Sequence, residues 1–120
     1  MANDTILNTF KGNDVASRRA LYNAINNAKS LNANDVWPIE VCNIVIVAGT
    51  RAVSGEDCEN VYLICENGDA YFSQSNGIAK SAKQLAEIFD FGDGTSIPVE
   101  VSVQQNSRSG NTIKSLRIAD

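Results

Sequence analysis

From Ile39 to Ile118 the chain reads strand, strand, strand, helix, strand, strand, and few folds accept that order. The first strand spans about Ile39 to Ala48. Its run of Ile39, Val41, Cys42, Ile44, Val45, Ile46 and Val47 is apolar on both faces, which predicts a central position. Gly49 offers a bend or bulge near its end, and Arg51-Ala52-Val53 extends it. The second strand is Asn60 to Cys65 and the third Ala70 to Ser73. Between them stands Asn67-Gly68, a pair that accepts the positive φ of a tight hairpin turn. A register centred on that pair sets Cys65 opposite Ala70 and Leu63 opposite Phe72. A helix follows from Ile78 to Phe89, with Ile78, Ala82, Leu85, Ile88 and Phe89 on one stripe. The fourth strand, Ile97 to Gln104, alternates Ile97, Val99, Val101 and Val103 with polar neighbours. Pro98 suggests that it lies at an edge. Thr112 to Ile118 is the fifth strand.

Ahead of this unit, Asp14 is a good cap for a helix from Val15 to Lys29, with Leu21, Tyr22, Ile25 and Ala28 on one face. Thr5-Ile6-Leu7 is either a short strand or loose chain. The expected fold is mainly β with two helices: a five-stranded OB-like barrel, β-β-β-α-β-β, preceded by an N-terminal helix. Residues 1–120 read as one domain, with 1–37 an extension carrying the helix and 38–120 the barrel. An OB barrel most often holds single-stranded nucleic acid or oligosaccharide on one preferred surface, although a fold alone does not decide function.

Composition removes several chemistries. The 120 residues contain no histidine, so the usual general base and the commonest metal ligand are missing. No nucleophile stands beside a partner base, and no carboxylate cluster or phosphate cradle is evident. An enzyme is not expected, nor is a metal or a cofactor. Three cysteines without CxxC spacing read as free thiols. No apolar run is long enough for a membrane span, and Met1-Ala2-Asn3-Asp4 is not a signal peptide, so a cytoplasmic setting is expected. The net charge of −4 is discordant with a nucleic-acid ligand. The bases nevertheless group at Arg18/Arg19, Lys80/Lys83 and Arg108/Lys114/Arg117, away from the acids of 56–69 and 87–93, so one face can be positive.

A single strand is held by stacking bases on aromatic rings beside a positive groove. The candidates for stacking are Tyr62 and Tyr71, placed on one face by the register above, and Trp37 at the mouth of the first long strand. Arg51, Lys80, Arg108, Lys114 and Arg117 are the candidates for phosphate contact. Each has an ordinary alternative. The tyrosines and Trp37 also suit packing, and the cations suit a solvated surface.

Residues 61–64, then Glu66-Asn67-Gly68-Asp69-Ala70-Tyr71-Phe72-Ser73 and Ser75-Asn76-Gly77-Ile78-Ala79-Lys80-Ser81, resemble small single-stranded DNA-binding proteins of tailed phages of Gram-positive hosts. Ile97-Pro98-Val99-Glu100-Val101 and Gly110-Asn111-Thr112-Ile113 are similar in kind. The resemblance covers roughly residues 60–118. It implies an OB-like fold that coats single-stranded DNA in the host cytoplasm during phage replication or recombination, with loose sequence preference. Partners would be the DNA, with replication proteins and further copies of the chain left open. The rival reading is a protein-interaction module, a phage accessory protein that binds a host or virion partner. A sugar binder on the same barrel is a third.

Overall fold

The computed structural model describes residues 5–9, 15–30, 38–50, 54–66, 68–89, 91, 96–105 and 112–119. Its elements are β1 (Thr5–Asn8), α1 (Val15–Asn26), β2 (Lys29–Ser30), β3 (Ile39–Thr50), β4 (Asp57–Cys65), β5 (Ala70–Ser73), α2 (Asn76–Ile88), β6 (Ile97–Gln105) and β7 (Thr112–Ile118). The strands form one mixed sheet in the order β2-β5-β4-β3-β6-β7, with β1 also paired to β3. It curls into a half-barrel.

β3 is central, as its apolar residues on both faces predict. One edge ladders with β4 along most of its length. The other edge meets β6 at Ile39–Val41 and then β1 at Val45–Val47. The irregularity that bends β3 is not at Gly49, which pairs regularly with Cys58. It lies where Val41 faces Cys65 and Asn43 faces Ile64. One extra residue on β3 there makes a bulge and sharpens the local twist. Gly49 answers a different need: a Cβ on it would stand 2.5 Å from the Asn60 side-chain nitrogen.

The β4–β5 hairpin differs from the expected register by one residue. Ile64 faces Ala70, Leu63 faces Tyr71 and Tyr62 faces Phe72. The last paired residues before the turn are Ile64 and Ala70, with five residues between them in the chain. The Cys65 N–H donates to the Asp69 carbonyl at 2.7 Å, the Gly68 N–H donates to the Cys65 carbonyl at 3.0 Å, and Gly68 takes φ +95°. Side chains alternate with period two, so this odd connection changes which residues share a face. Tyr62 and Tyr71 therefore point to opposite faces of the sheet and not to one.

The larger core lies on the face covered by α2. Val41, Ile44, Ile46, Val61, Leu63 and Val99 meet Ile78, Ala79, Ala82 and Leu85 there. Ser75 caps α2 by accepting from the Ile78 N–H. The Ser81 hydroxyl accepts from the Leu116 N–H at 3.1 Å, which ties α2 to β7. The smaller core, on the face covered by α1, joins Ala24 to Val45, Ile64 and Ala70, with Leu21, Ile25, Ala28 and Tyr62 at its margin.

α1 departs from expectation in two ways. Its buried stripe is Leu21, Ala24, Ile25 and Ala28, at steps of three and four, whereas Tyr22 is 69% exposed. Tyr22 stands two residues before Ala24, a turn of about 200°, so it points away from the buried stripe. The helix also stops at Asn26. The Asn26 and Asn27 amides donate back to the Tyr22 and Asn23 carbonyls, and Lys29–Ser30 instead pairs in parallel with β5.

The mainly-β class with two helices holds. Closing a five-stranded barrel needs β5 to meet β7. Among the described residues the second edge of β5 is taken by β2, and β7 ladders only with β6. Pro98 is not on an edge strand: it faces Glu40 of β3 on one side, while its carbonyl accepts from the Ala119 N–H on the other. The N–H it lacks would point to the same side as that carbonyl, past the last β6–β7 pair, so only the terminal bond of the ladder is lost.

Candidate nucleic-acid interface

On the α1 face, β3, β4 and β5 present rows of side chains. Strand geometry spaces the rows about 6.6 Å apart. The row of Ile64 and Ala70 is buried beneath α1. Next come Val45, Tyr62 and Phe72. The two rings lie 5.3 Å apart between centroids and tilt by 39°, and both are half-buried. Burial raises the pKa of the Tyr62 hydroxyl. Beyond them Asn60, opposite Val47, accepts from the Gln74 amide at 2.9 Å. Gln74 also reaches the Thr50 carbonyl at 3.4 Å, and the Cys58 thiol donates to Asn60 at 3.7 Å. Gly49 leaves the space that Asn60 occupies. A strip of aromatic face thus adjoins a strip of side-chain amide.

Tyr71 belongs elsewhere. It packs at the margin of the larger core, with the Lys29 ammonium 6.0 Å from its ring centroid. Lys29 also lies 3.7 Å from the Asp69 carboxylate. Tyr71 lines a cleft with Pro38, Ile39, Glu40, Cys65, Glu66 and Asp69. Three carboxylates in one cleft repel phosphate. Cys65 sits in its wall, and burial above all pushes its thiol up to about 12, with help from nearby Cys42, Asp69 and Glu40. Burial also raises Cys42.

The predicted cations are spread out. Lys80 is exposed on α2, the helix that covers the other face of the sheet. Arg117 donates through Nε to Glu100 at 2.6 Å, so part of its charge is answered within the protein. Lys83 is paired with Glu59 at 2.8 Å. The backbone of Lys114 lies in β7 opposite Val103, but its side chain is outside the described residues, as are Trp37, Arg51 and Arg108. The described residues hold no cluster of His, Cys, Asp or Glu fit for a metal ion. No helix among them is long and apolar enough to cross a membrane.

Sequence comparison decides the family. The model of the Phi29-type phage single-stranded DNA-binding proteins matches residues 1–119. The chain belongs to that family. No curated protein and no solved structure matches it. The family consists of binding proteins, not enzymes, and its ligand is single-stranded DNA. The match covers the N-terminal segment as well as the strands, so the kinship reaches well beyond the residues 60–118 that carry the resemblance by eye.

For a family with a polyanionic ligand, the structure brings forward three residues that sequence reasoning passes over: Phe72, Asn60 and Gln74. Phe72 was visible as an aromatic beside Tyr71. Its partnership with Tyr62 depends on the length of the hairpin connection, which residue identity alone leaves open.

Proposed function

We propose that this phage protein coats single-stranded DNA by laying the strand across the α1 face of β4 and β5. A base stacks on the Tyr62–Phe72 pair, and the Asn60 and Gln74 amides meet the edge of a neighbouring base. The observation that carries this reading is the Tyr62–Phe72 contact, half-open on a sheet face and flanked by amides. Core aromatics are usually sealed, whereas stacking platforms keep one side wet. Membership of a single-stranded DNA-binding family supplies the ligand.

Phosphate neutralisation falls to Arg51, Arg108 and Lys114, with Lys80 and Arg117 as further cations. Trp37 is a further ring for stacking. Tyr71, among three carboxylates, serves packing more than stacking. The strand and helix order also supports an OB-like path, with α2 standing between β4 and β7 where a closed barrel would bring β5 and β7 together. Work on displaced strands during replication or recombination places the protein in the host cytoplasm, beside replication proteins and other copies of itself.

The test is titration with oligo-dT, followed by intrinsic tyrosine and tryptophan fluorescence. Wild type is expected to show saturable quenching that weakens with salt, log K falling against log salt by about 0.7 per phosphate neutralised. Tyr62→Ala is expected to cost about 1–3 kcal/mol of binding. A full loss on Tyr71→Ala with no effect of Tyr62→Ala would move the platform to the other face.

A further inference from the structure

α1 carries a second stripe that its packing does not use. Val15, Arg19, Tyr22 and Asn23 follow at helical spacing on the side away from the buried residues, and together line a shallow groove of about 420 Å³. Val15 is 70% exposed and Tyr22 69%. A helix that only covers a core is polar on its outer side. This one sets an aromatic ring there, one turn from a guanidinium. Arg19 has no ion-pair partner among the described residues. Between Val15 and Asn26 there are two arginines and no acid, in a chain whose net charge is −4.

We infer that Arg19 and Tyr22 form a second contact for the same DNA strand, extending its path from the sheet onto the outer surface of α1. This rests on the proposal that Tyr62 and Phe72 hold single-stranded DNA. Two observations select that occupant. One is charge: a locally cationic helix on an acidic protein complements phosphate. The other is continuity: the inner stripe of α1 packs on the cluster whose margin includes Tyr62, so a strand leaving the Tyr62–Phe72 step meets this helix next. An exposed ring beside an arginine supplies what sequence-tolerant single-strand binding uses, a stacking face and a phosphate partner.

Affinities for oligo-dT from about 4 to about 16 nucleotides, the range of single-strand site sizes, test this. Tyr22→Ala is expected to weaken the longest strand by roughly 5- to 150-fold and the shortest far less. Tyr22→Phe keeps the ring face and is expected to bind as wild type. Arg19→Gln should lower the salt slope by about 0.7. Circular dichroism verifies that each variant is folded. If wild type binds and neither Tyr22→Ala nor Arg19→Gln changes affinity or slope, the strand does not cross α1 and the inference is overturned, while the Tyr62–Phe72 reading stands. If Tyr22→Ala alters the sedimentation of the free protein but not its affinity, a second copy covers the stripe and the inference is likewise overturned. If wild type binds no oligo-dT, the sheet platform itself is wrong, and this contact falls with it.

Discussion

The two faces of the β3–β4–β5 sheet are built from alternate residues of the same strands, yet they end in different states. On one face Ile44, Ile46, Val61 and Leu63 are sealed by α2, which buries Ile78, Ala79, Ala82 and Leu85 and is fixed to β7 through Ser81. On the other, α1 brings one buried residue among those described, Ala24, to Val45, Ile64 and Ala70, and the rings of Tyr62 and Phe72 stay half-buried. Apolar area removed from water sets the stabilisation, so the α2 face holds the fold. The α1 face gives up part of that gain and keeps aromatic and amide surface available. On the proposed reading, a sheet one residue thick separates stability on one face from DNA binding on the other.

The sharpest way to break this comparison is to truncate one residue on each face. Leu63→Ala is expected to destabilise by about 2–5 kcal/mol in urea unfolding. Ile25→Ala, at the half-buried margin under α1, should cost about 1 kcal/mol. Equal losses would mean that the thin cover on the α1 face bears as much of the fold as α2 does.

A pH-dependent effect comes from the cysteines. Cys65 belongs to the α2-face core and Cys42 packs at the margin of the other. Below pH 9.0, the ordinary thiol value, Cys65 is protonated whether the chain is folded or not, and its contribution is unchanged. Above that the unfolded thiol loses its proton, while the folded one holds it up to about 12. Stability therefore falls as pH rises through this window, by at most about 1.4 kcal/mol per pH unit from this group. Cys65→Ala should flatten the alkaline limb of a stability–pH curve. In wild type at pH 8, alkylation should reach half-exposed Cys42 before Cys65.

Much of this was legible in the sequence. The spans of β3 to β7 follow from β-branched runs, alternation and turn residues, and each matches within a few residues. What escaped depends on single-residue counts or on tertiary contact. The Asn67-Gly68 signal marks a hairpin without saying whether four or five residues connect its strands, and that one residue parts Tyr62 from Tyr71. The bulge at Cys42 falls where Glu40 and Asn43 interrupt the apolar run, and with apolar residues on both faces alternation there does not fix the phase. A two-residue parallel strand, Lys29–Ser30, has no periodicity to read, and it exists because β5 offers it an edge. Tyr22 reads as core by type alone, and only the helix phase set by Ala24 turns it outward.

The most direct test of the account is residue-resolved NMR of the protein titrated with oligo-dT. The largest shift changes are expected on the α1 face, at Asn60, Tyr62, Phe72 and Gln74, while Leu63 and the buried side of α2 stay nearly still. Changes centred on Tyr71, Glu40 and Glu66, with Tyr62 and Phe72 unmoved, would contradict it and put the strand in the acidic cleft.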